Sequence, residues 1–108
     1  IVRYMKIIRN KIIPFNGFKA INIFGVLFVR ERANIDAKTI NHEEIHTAQM
    51  KEMLYIFFYL WYIVEWIVRL FYKGNAYKNI SLEKEAYSNE SDMFYLSNRK
   101  KYSWMKYI

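Results

Sequence analysis

From Ala37 to Tyr72 the chain contains neither glycine nor proline. A stretch without the two strongest helix breakers predicts helix over many turns. Asp36 or Thr39 is placed to cap its start, and Gly74 stands where it can stop. In a chain of 108 residues this helical region dominates the fold. The length supports one domain around one core, so residues 1–108 are expected to form a single unit.

What precedes the helix reads differently. Residues 1–35 are rich in Ile, Val and Phe and punctuated by Pro14, Gly17 and Gly25. Pro14 and the pair Asn16-Gly17 predict a turn. The runs Phe18 to Phe24 and Val26 to Arg30 predict two short strands joined as a hairpin through Gly25. Beyond the long helix, Ser81 predicts an N-cap, with Glu83 and Glu85 in the first turn of a helix reaching about Leu96. Residues 97–108 form a basic, aromatic tail with no assigned structure. The expected class is α+β: a short β-hairpin or sheet packed on a helical region over 37–73 and a second helix over 81–96.

Residues 53–72 are long enough to span a bilayer, but they contain Glu65 and Arg69, spaced to pair on one helix face. They also hold Tyr55, Tyr59, Tyr62, Trp61 and Trp66, side chains suited to interfaces and groove walls. A buried or partly exposed helix of a globular domain is the leading expectation, and a helix lying on or in a membrane is the other.

The only two histidines fall in the stretch HEEIH. On a helix, His42 and His46 lie on one face a turn apart and can aim their rings at one ion. Glu43 is offset to the side, where a carboxylate can take a proton from a water the ion activates. With no cysteine in the chain, any further ligand must be a carboxylate. A third histidine at position 52 is excluded, because Glu52 stands there. Glu83, Glu85, Glu90 and Asp92 are the candidates in the following acidic segment.

His42, Glu43 and His46, followed some forty residues on by an acidic helix, resemble the gluzincin zinc metallopeptidases in their minimal form, the minigluzincins. The resemblance spans roughly residues 18 to 96 but rests in detail on few positions. It implies zinc as cofactor, a peptide or protein substrate and Glu43 as general base. The frame Glu85-Ala86-Tyr87-Ser88-Asn89 implies Glu85 as third ligand and Asn89 as the support of a ligand histidine. A competing frame makes Glu83 the ligand. Glu85 is preferred because it shares the more apolar helix face with Leu82, Ala86, Asn89 and Met93. The family's cleft rim, a strand that pairs with substrate, corresponds to Ile23 to Arg30. The chain departs from the family in having no further histidine for the oxyanion, which leaves Tyr87, Tyr95 or Tyr102.

The net charge of +7, with basic clusters from Arg3 to Lys11 and from Arg99 to Lys106, supports a rival reading. In that reading the chain is a non-enzymatic module that holds an anionic membrane surface or another protein, with a vestigial metal site. Nucleic acid is a weaker candidate, since the basic clusters match no readout motif. No secretory signal pattern opens the chain, so a cytoplasmic or membrane-associated location is expected. Oligomeric state is not legible.

Overall fold

A computed structural model describes residues 6–13 and 19–108. The strands are β1 (Lys6–Asn10), β2 (Ala20–Ile23) and β3 (Val26–Arg30). The helices are α1 (Ala37–Glu52), α2 (Ile56–Arg69), α3 (Ala76–Asn79), α4 (Ser81–Asn89) and α5 (Tyr95–Asn98), and a 3-10 turn covers Ser103–Tyr107. The architecture is α+β, as expected. The turn expected at Pro14 and Asn16-Gly17 lies outside the described residues.

The hairpin forms through Gly25. Ile23 pairs with Val26, so the turn holds only Phe24 and Gly25, both at positive φ (+50° and +88°). Two such residues make the tight turn whose twist suits a hairpin. A Cβ on Gly25 would also come within 3.3 Å of the Thr47 methyl on α1, so glycine serves both the turn and the close approach. Asn22 fastens β2 to α1 by donating to the Glu43 carbonyl (3.0 Å) and the Thr47 hydroxyl (3.1 Å).

One strand was not anticipated. β1, within the basic N-terminal cluster, pairs in parallel with β3, giving the order β1-β3-β2. β3 is therefore central, and its backbone groups are used on both sides. The expectation that Ile23 to Arg30 forms a substrate-pairing rim is corrected: among the described residues the edge strand tied to α1 is β2.

The helical stretch is likewise not continuous. It breaks at Met53–Tyr55, where Leu54 and Tyr55 take positive φ (+52° and +60°). Non-glycine residues adopt such angles at a cost of about 1–2 kcal/mol each. The turn recovers hydrogen bonds from Met53 N to Gln49 O (3.2 Å) and from Tyr55 N to Met50 O (2.7 Å). It folds α2 back so that Phe58 joins the core of Met50, Ile80, Leu82 and Trp104. Asp36 caps α1 as expected, accepting from Thr39 N at 2.8 Å.

Three further boundaries differ. α2 ends at Arg69, ahead of Gly74. Ser81 is the first residue of α4 rather than its cap, because Ile80 holds the cap position and no side chain caps there locally. Instead Glu65 reaches over from α2 and accepts from both Ser81 N (2.8 Å) and Ser81 Oγ (2.6 Å). A carboxylate there satisfies one free N–H group and complements the positive end of the helix. Its expected partner Arg69 is 3.9 Å away. Finally, the helix expected to reach Leu96 stops at Asn89 and resumes as α5. The tail is structured too: Trp104 is buried, its ring 5.8 Å from that of Trp61. No helix among the described residues is long and apolar enough to cross a membrane.

Candidate metal centre

The inward face of α1 is mostly polar. Asn41, His42, Ile45, His46, Gln49 and Met50 are its buried residues, one stripe at helical spacing. A buried polar stripe needs partners, and α4 with the residues just after it supplies them.

Three ligand atoms converge. His42 Nε2 lies 3.1 Å from His46 Nε2, and Glu83 Oε1 lies 3.1 Å and 3.0 Å from the two nitrogens. These residues could hold a metal ion, and they are the one such cluster among the described residues. Zinc bonds of about 2.0–2.1 Å in a tetrahedron set ligand atoms about 3.3 Å apart. The triangle is within a few tenths of an ångström of that.

The outer ring nitrogens fix the direction of the inner ones. His46 Nδ1 is 2.9 Å from Gln49 Oε1. The Gln49 amide cannot be turned around, because its nitrogen donates to the Leu82 carbonyl (3.0 Å) and Glu85 Oε1 (2.9 Å). Its oxygen therefore accepts, Nδ1 carries the proton, and the Nε2 lone pair of neutral His46 points at the triangle. His42 Nδ1 likewise donates to Glu90 Oε1 at 2.7 Å, and Lys38 holds the other Glu90 oxygen at 3.1 Å. Carboxylate and amide acceptors behind ligand histidines are the usual means of orienting a metal site.

The electrostatics match a site that wants a cation. Burial alone would lower the His46 pKa, but the charge and hydrogen bond of Glu83, aided by Glu43 and Gln49, raise it to about 9. Burial would raise the Glu83 pKa. His46, the hydrogen bonds of both histidines and that of Tyr62 outweigh it and hold the carboxyl well below its ordinary range. Tyr62 donates to Glu83 Oε2 at 2.7 Å, and burial and that carboxylate push its own pKa up. Without an ion, one proton shared in the triangle has to balance three electron-rich atoms.

The preference for Glu85 as ligand is corrected by this geometry. Glu83 meets the histidines, while Glu85 lies two residues and about 200° further round the helix. Glu85 is fully buried and bonded to Arg99, Tyr95 and Gln49. Arg99 also forms a paired contact with Glu52 at 2.9 and 3.0 Å. Asn89 does not support a ligand either. Its amide donates to the Glu85 carbonyl (2.8 Å) and the Tyr107 hydroxyl (3.1 Å), and Glu90 takes the role assigned to it. Gln49 was missed as well. Its signal was a polar residue one turn after His46 on the same face.

Glu43 is half-buried beside the triad, and its charge is felt by His46 and Tyr77. Of the three candidate tyrosines, only Tyr87 stands against the centre, its ring edge-on to His42 at 4.6 Å and its hydroxyl 3.3 Å from that of Tyr77. Tyr95 is committed to Glu85, and the backbone N–H of Tyr102 is held by Glu52. Comparison with protein-family models, curated proteins and solved structures gives no match, so the chemistry rests on these residues alone.

Proposed function

We propose that this chain is a zinc-dependent hydrolase, most simply a peptidase, with His42, His46 and Glu83 as the ligands and Glu43 as general base. The observation that supports it is the convergence of three ligand atoms within 3.1 Å of one another while both Nδ1 atoms are engaged outward. Two nitrogens and one carboxylate suit zinc at a catalytic site, which keeps one position open. A bound zinc would polarise a carbonyl and make water a better proton donor.

The chain's own residues do the rest. Glu90 and Gln49 hold the histidines in the tautomer with Nε2 free. Glu43 follows His42 on the same helix and takes the proton of the attacking water, then passes it to the leaving amine. Tyr87 and Tyr77 offer hydroxyls on the flank of His42, where an oxyanion can be met. The outer edge of β2, tied to the Glu43 turn through Asn22, offers backbone groups to an extended peptide.

The test is a peptide-library assay with Glu43→Gln. That variant should keep its zinc and lose hydrolysis by at least about 100-fold, within the 10²–10⁴ range of acid-base contributions. Hydrolysis that persists in it would remove Glu43 from this role.

A further inference from the structure

The outward face of α2 carries no charge. Ile56, Leu60, Ile63 and Ile67 form its midline and are 47–57% exposed. Phe57, Val64, Val68 and Phe71 flank them on one side, Trp66 and Leu70 on the other, and all of these are exposed too. At 100° per residue the apolar face covers an arc of about 200°. The polar groups lie on the opposite arc: Glu65 is buried against Ser81, and Tyr62 reaches Glu83. A surface helix of a water-bathed protein has the reverse arrangement. The patch continues past the helix start through Leu54, 72% exposed, and Phe24, 52% exposed, whose ring lies against Tyr55 and Tyr59. Such a surface is larger than monomers usually leave to water.

We infer that α2 docks this protein on the surface of an anionic lipid bilayer, lying in its plane. Three observations select lipid. A single packed helix covers an arc of about 100°, so a second copy would leave half of this face wet, whereas acyl chains cover all of it. The local charge is complementary: between Met53 and Leu82 the only acid is the inward Glu65, while Lys73, just past the end of α2, stands exposed. A cation there is drawn to anionic headgroups. And α2, at 14 residues or about 21 Å, is too short to cross a hydrocarbon core of about 30 Å. It has the design of an interfacial helix whose polar side is protein instead of water. This inference does not depend on the hydrolase reading.

The experiment is co-sedimentation of the full chain with vesicles of phosphatidylcholine alone and of phosphatidylcholine mixed with phosphatidylglycerol. The protein should partition more strongly into the anionic vesicles, and salt should weaken that difference. Trp66 fluorescence should shift to the blue on binding, and Trp66→Phe should remove most of the shift. The double variant Leu60→Glu, Ile67→Glu replaces exposed side chains, so its circular dichroism should be unchanged while its partitioning drops at least tenfold. His46→Ala should bind vesicles like the parent, which separates this face from the metal centre. No partitioning, or partitioning that the double variant leaves intact, overturns the inference. A lipid-free dimer that the double variant splits, with no vesicle binding, also overturns it and assigns the face to a second copy.

Discussion

Glu83 and Glu85 stand two residues apart on α4, both buried, and meet different charged partners. Glu83 sits between the histidines, and Glu85 is clamped by Arg99. Their substitutions should therefore separate cleanly. Glu83→Ala should abolish stoichiometric metal binding. Glu85→Ala should keep the metal and instead destabilise the fold by about 1–3 kcal/mol, the usual cost of leaving buried donors without their acceptor, since Arg99 keeps its pair with Glu52. Metal analysis and thermal melts on both variants decide it. Metal lost from Glu85→Ala and retained by Glu83→Ala would reverse the assignment.

Glu90 is bonded to His42 at 2.7 Å and would act on a bound metal through that ring. Glu90→Ala should leave the fold intact and weaken metal affinity about 10–100-fold, as loss of such an orienting partner does. A competition titration against a chelator of known affinity measures it. An unchanged affinity would show that the ring needs no support from behind.

The pH dependence follows from His46. In the metal-free protein its pKa is raised from 6.5 to about 9 by Glu83, against the opposing effect of burial. An ion must displace that proton, so apparent affinity should rise about tenfold per pH unit up to about 9 and then flatten. The sign for stability is opposite. A raised folded pKa stabilises the metal-free protein fully below 6.5, and that contribution is lost as pH climbs through about 9. The lowered pKa of Glu83 adds stability above about 4.5, lost on acidification through its lower folded value. Melts of the metal-free protein should fall between pH 6.5 and 9, and melts of the metal-loaded protein should not.

The break between α1 and α2 has its own test. Leu54 is 72% exposed at φ +52°, so Leu54→Gly relieves strain and loses little burial. It should stabilise the protein by up to about 1 kcal/mol. If the chain ran as one helix through this point, the same substitution would destabilise it by about 1 kcal/mol. Denaturant unfolding gives the sign.

The histidine pair, its helix, the Asp36 cap and the hairpin turn at Gly25 were legible because each is written in local spacing. The choice between Glu83 and Glu85 was not. Both are buried on α4 and both reach side chains of α1, Glu83 the two histidines and Glu85 the Gln49 amide, so facing the motif helix does not tell them apart. Nothing local marks Arg99 as the buried partner of Glu85 and Glu52, since it sits in a basic run that reads as solvated. The break at Leu54 was hidden for a related reason. It contains no glycine or proline and is imposed by where Phe58, Tyr59 and Tyr62 must pack. β1 was masked by the lysines and arginines around it.

The most direct test of the central claim is the metal content of the full chain purified without added metal, measured beside His46→Ala. About one zinc per chain, absent from the variant, is the predicted result. A parent protein that carries no metal and takes none up from micromolar zinc at neutral pH would contradict it.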